Sequence, residues 1–173
     1  MIATYSHSRN EIKGLSNSSI ASGEKNDCVV KAMASACDIN YDTAHSVVKT
    51  KMKREDRKGT LTGEIVSAMK KFAKEGLEVS GKKFAVSVLG KSRITNRYKL
   101  HGEVIDRRKT VKSFIKDNQK GTYMVLVAKH AFTIKDGVLI DNVGEEFRPT
   151  RKVQGAFSLN EVENLNDVQL KLF

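Results

Sequence analysis

Proline, tryptophan and cysteine are scarce in this sequence: its 173 residues include one proline, no tryptophan and two cysteines. Two cysteines cannot build a multiply bridged secreted scaffold. Without histidines at matching short spacings they cannot build a four-ligand zinc site either. Long apolar runs are also missing. The longest aliphatic stretch extends only from Met124 to Ala128, far below the ~20 residues that span a bilayer. The opening residues, Met1-Ile2-Ala3-Thr4-Tyr5-Ser6-His7, lack the charged-then-apolar pattern of a signal peptide. These absences predict a soluble, cytoplasmic protein with reduced thiols and no membrane association. Acidic residues are in deficit, 20 against 31 basic, for a net charge of +11. That excess favours nucleic acid or another acidic surface as a partner. With 39% hydrophobic residues the chain is apolar enough to fold, and its length fits one domain.

Residues 1–26 are rich in Ser, Asn and Gly without a sustained period, which predicts an extended or loosely packed arm ahead of a single domain over 27–173. From Cys28 to Cys37 small helix-compatible residues predict a short helix, with Asp27 placed to cap its first turn. A second helix is expected after Asn40 or Asp42, with Ala44, Val47, Val48 and Met52 on one face. A third is expected after Thr62, with Ile65, Ala68, Met69 and Phe72 inward and Gly76 as its stop. Short β-like pieces at Phe84–Val88 and Glu103–Ile105 flank a basic loop, and a fourth helix follows Thr110. After Gly121 the chain turns to β-formers. Asp136-Gly137 between two apolar runs predicts a tight hairpin, and a last strand is expected around Val153–Leu159. Helices first and an antiparallel sheet second define an α+β domain.

Three residues could act together. Cys28 starts its helix, where unpaired amides carry partial positive charge and favour a thiolate nucleophile. His130 begins the first strand of the Asp136-Gly137 hairpin. A two-residue turn there pairs Lys135 with Val138 and sets His130 diagonally across from Asp141 on one face. A turn one residue longer brings Asn142 opposite instead. Either residue could hold the imidazole in the tautomer that leaves its other nitrogen for the thiol; the Asp-Gly pair favours the shorter turn and hence Asp141. Cys37, on the same helix, reads as a small core residue.

The segments Asn26-Asp27-Cys28-Val29-Val30-Lys31-Ala32-Met33-Ala34 and Gly121 through Lys129-His130-Ala131-Phe132-Thr133 to Asp136-Gly137 resemble papain-like cysteine peptidases. The similarity is to their compact bacterial and phage-encoded members, akin to bacteriocin-leader peptidases. Arg148 to Phe157 looks like the closing strand of phage proteins of this type. The resemblance implies a papain-like fold, with N-terminal helices packed on a C-terminal antiparallel sheet, and a thiol hydrolase acting on a peptide or protein. In that reading Cys28 is the nucleophile, His130 the base and Asp141 the orienting residue, with no cofactor and no metal. Such enzymes usually carry a glutamine shortly before the cysteine to bind the oxyanion. Here no glutamine precedes Gln119, and Asn26, with the Cys28 amide, is the substitute within reach. A catalytically inactive binding protein of the same fold is the alternative reading.

Two segments concentrate the basic charge. Residues 49–58 hold six basic and two acidic side chains, and residues 91–109 hold seven and two. In the second, Arg93, Arg97, Lys99, Arg107 and Arg108 could neutralise phosphates while Tyr98 stacks on a base. The same surface could bind an acidic host protein.

Overall fold

Met124 to Val127 is apolar at successive positions because the strand that contains it is covered on both faces. The structure, a computed structural model, describes residues 5–6, 12–140 and 149–166. Strand β1 (Tyr5–Ser6) precedes four helices, α1 (Ser19–Gly23), α2 (Cys28–Cys37), α3 (Tyr41–Lys51) and α4 (Thr62–Glu75). Strands β2 (Leu77–Val79) and β3 (Lys82–Val88) follow, then the one-turn helix α5 (Lys91–Ile94) and strands β4 (Thr95–Leu100) and β5 (Glu103–Arg108). Helix α6 (Val111–Asp117) leads into β6 (Thr122–Val127), β7 (His130–Lys135), β8 (Val138–Ile140) and β9 (Gly155–Val162). The main sheet runs β1-β8-β7-β6-β9-β3-β2, antiparallel except for the β1–β8 pair. The fold class is therefore α+β, as the order of helices and strands predicts. Among the described residues no helix is long and apolar enough to cross a membrane.

The core lies in two layers separated by the sheet. Helices α2, α3 and α4 bury Met33, Val48 and Met69 against Met124, Leu126 and Phe157. On the other face α6 buries Phe114 and Ile115 against Val125, Phe132 and Ile134. Alternation along β6 sends Met124 and Leu126 to one layer and Val125 and Val127 to the other. A helix's period identifies its own apolar face but not the face of the sheet that receives it.

Several local expectations hold. Asn40 caps α3 by accepting from the Asp42 amide at 3.0 Å, and Thr110 caps α6 by accepting from the Ser113 amide at 3.1 Å. Asp136 and Gly137, at φ 49° and 77°, form the two-residue turn that pairs Lys135 with Val138. Other expectations fail. The basic "loop" before Glu103 is α5 and β4: Thr95–Leu100 pairs with Glu103–Arg108 through a two-residue turn at His101 and Gly102, whose φ values are 49° and 84°. Alternating cations hide the β pattern there, because neither face of that hairpin is buried. Residues 12–24 are packed, in contrast to the expected loose arm. Ile12 is buried, Ser18 bonds Asp42, and the Tyr41 amide donates to the Lys13 carbonyl at 2.8 Å.

Glu24 anchors the end of this segment through its side chain. Its carboxylate bonds the buried Arg54 guanidinium and lies 3.1 Å from His45 Nε2, while the Arg57 amide donates to it at 3.1 Å. Burial works to raise this carboxyl, but the bonds from Arg54, His45 and Arg57 outweigh it and hold the group at about 2. Glu24, His45 and Asp56 bring ligand-type atoms within 4.8 Å of one another. Arg54 Nη1, 3.3 Å from the same His45 nitrogen, supplies the positive charge there, so the cluster is an ion-pair network.

A carboxyl held below its ordinary value stabilises the fold fully above that value and progressively less as pH falls toward 2. Glu24→Gln is expected to be less stable at pH 7, by an amount on the order of 3 kcal/mol. The gap should close between about pH 4.5 and 2 in urea denaturation followed by circular dichroism. A gap independent of pH contradicts the assignment. Thr133→Val, which removes the buried hydrogen bond from Thr133 Oγ1 to the Ala32 carbonyl at 2.7 Å, is expected to lower stability by about 1 kcal/mol in the same assay.

Candidate active site

Helix α2 starts at Cys28 because the chain turns sharply just before it. Asn26 takes a left-handed φ of 55°, a conformation asparagine tolerates better than most residues. Asp27 follows as the N-terminal flanking residue. The expected capping bond is not made: the Asp27 side chain offers no acceptor to the helix amides. Its Oδ2 instead accepts from the Tyr41 hydroxyl at 2.7 Å, and its Oδ1 pairs with Lys31 Nζ at 3.2 Å. Burial, and then the bond to Asp27, pushes the Tyr41 phenol far above its ordinary value, so Tyr41 is a permanent donor. Turning Asp27 away leaves first-turn amides of α2 without a side-chain cap, and such amides attract negative charge.

His130 is placed by a second device. Strands β6 and β7 join through Ala128 and Lys129, with Lys129 at φ 59°, so that Val127 pairs with His130. The turn delivers His130 as the first residue of β7, at the end of the strand against which α2 packs. Thr133, bonded to the Ala32 carbonyl one turn into α2, ties helix to strand. The His130 ring also lies against Phe132, at a centroid distance of 5.9 Å.

Cys28 and His130 consequently line the same two cavities, of about 220 and 290 Å³. Asn26, Lys129 and Ala131 are common to both. The smaller continues past Lys31 and Phe132, and the larger past Gly59, Thr60 and Ile65. Asn26 reaches the cavities, with its Nδ2 directed at the Arg57 carbonyl 3.4 Å away. Asp141 and Asn142 lie outside the described residues; the two-residue turn on which the preference for Asp141 rests is present.

The basic residues form a separate surface. Arg93, on α5, donates to Asn118 Oδ1 at 2.7 Å. Arg97, Tyr98 and Lys99 lie on β4, and Arg107 and Arg108 on β5; none of them lines either cavity. Residues that the sequence reading did not connect to the site are Lys31, Lys129, Tyr41 and Thr133. Lys129 was open to detection as the second residue of a turn between two β runs. The Tyr41–Asp27 bond links residues on different helices and leaves no local signal. Comparison with protein-family models, with curated proteins and with solved structures found no match to the chain.

The two thiols differ in setting. Cys28 is partly exposed, whereas Cys37 is buried and its thiol is pushed up to about 12 by burial. Iodoacetamide is expected to modify Cys28 in the folded protein and to leave Cys37 untouched until denaturant is added, as read by peptide mass spectrometry. Equal labelling of both in the native state contradicts this placement.

Proposed function

We propose that this protein is a papain-like thiol hydrolase with Cys28 as nucleophile and His130 as general base. The observation that carries the reading is the meeting of a helix-initiating cysteine and a strand-initiating histidine at one pair of cavities. In this mechanism His130 takes the thiol proton, and the sulfur attacks the acyl carbon. The oxyanion is received by the Cys28 amide, which the averted Asp27 leaves uncapped, together with the Asn26 side chain. The imidazolium then protonates the leaving group, and a water activated by His130 resolves the thioester. Asp141 holds the imidazole in the required tautomer. Two cavities meeting at the nucleophile suit a substrate that continues on both sides of the scissile bond, as a peptide or protein does. The Lys129 ammonium group, on the wall of both cavities, favours acidic or carboxylate-bearing flanks.

The test uses a generic acyl donor, p-nitrophenyl acetate. A burst of nitrophenolate with an acetyl group on Cys28 is expected, absent in Cys28→Ala and slowed about 10²-fold or more in His130→Ala. Acylation of Cys28 at the same rate in the wild type and in His130→Ala overturns the proposal.

A further inference from the structure

The β4–β5 hairpin is a sheet of its own, with none of its residues buried. A bare two-stranded ribbon is marginal in water, yet this one exposes Tyr98, Leu100 and Val104 over a large fraction of their surfaces. Its register separates two faces. Arg97, Lys99 and Arg108 share one face with Val104 and Asp106, while Tyr98, Leu100, Ile105 and Arg107 share the other. On the cationic face Asp106 is held by both Arg97 and Lys91, each at 3.1 Å; these bonds, Arg97's first, draw its carboxyl below the usual value. Lys99 and Arg108 have no acidic partner among the described residues. The Asn96 side chain donates to Ser113 Oγ at 3.2 Å, which sets α6 beside the ribbon, and Lys112 and Lys116 are exposed on α6 one turn apart.

We infer that the β4–β5 ribbon is an arm that enters the major groove of duplex DNA. Two paired strands lie about 4.8 Å apart, and a groove about 12 Å wide admits such a ribbon. Alternate residues such as Arg97 and Lys99 are about 6.7 Å apart, which spans about two base-pair steps at about 3.4 Å of helix axis per step. A groove brings base edges and flanking phosphates to the face that carries Arg97, Lys99, Arg108 and Val104, where thymine methyl groups offer Val104 an apolar contact; the opposite face is held to α6 through Asn96. The ribbon stands apart from the thiol site, so this inference does not depend on the proposed hydrolase.

The experiment is fluorescence anisotropy of the full chain with a labelled 20-base-pair duplex of mixed sequence, titrated in NaCl from about 50 to 200 mM. Duplex binding is expected in the wild type and in Cys28→Ala. Lys99→Ala/Arg108→Ala should weaken it about tenfold or more and flatten the slope of log affinity against log salt by about 2, at ~0.9 per lost phosphate contact. Lys70→Ala/Lys71→Ala, which removes the same charge from the exposed face of α4, should bind nearly as the wild type does. The charge-preserving Lys99→Arg/Arg108→Lys should also bind, and circular dichroism of each variant confirms folding. Absence of duplex binding at the lowest salt overturns the inference. So do tighter binding to the single strand than to the duplex, equal loss in Lys70→Ala/Lys71→Ala, or poly-glutamate bound as tightly as the duplex.

Discussion

The docking of α2 onto β7 is the contact on which the rest of the site depends. Small residues on α2, among them Ala32 and Ala36, let the helix approach the sheet closely, and Ala131 accepts it from the strand side. Within that dry contact Thr133 satisfies its hydroxyl on a helix carbonyl. A buried hydroxyl without a partner costs more than the bond returns, so the bond selects one position of the helix along the strand. That position brings the N-terminus of α2 to the level of the β6–β7 turn, so that Cys28 and His130, far apart in the sequence, arrive at the same cavities.

A second layer of restraint lies behind the helix. Tyr41 holds Asp27 from α3, and Glu24 and Arg54 clamp the segment before α2 to the segment after α3. Both arrangements bury charge or strong dipoles that are tolerable only when paired. They fix the entry into α2 from two sides and leave its first-turn amides facing the cavities. The basic side chains of the β4–β5 ribbon and of the exposed side of α6 lie away from the cavities that Cys28 and His130 line.

Much of this architecture was legible in the residues. The limits of α2, the inward faces of α4 and α6, the Asn40 and Thr110 caps and the Asp136-Gly137 turn all follow from signals within a few residues of each other. What escaped reading lacked such signals. Strand β4 has no buried face and hence no apolar alternation. Residues 12–24 are polar because they pack through Ser18 and Glu24 as well as through Ile12. Asp27 has the composition of a cap, but a tyrosine fourteen residues away takes its carboxylate instead, and a buried phenol without an acceptor is costly.

Local signals were enough for most of the element types, for the α+β class and for the candidates Cys28 and His130, because periodicity, turn chemistry and helix-start electrostatics are local properties. That these two share cavities and that helices cover both faces of the sheet emerges only from the folded molecule. Those outcomes depend on which apolar faces meet and which buried polar groups find partners, and contacts between residues a hundred positions apart leave no imprint on the residues beside them.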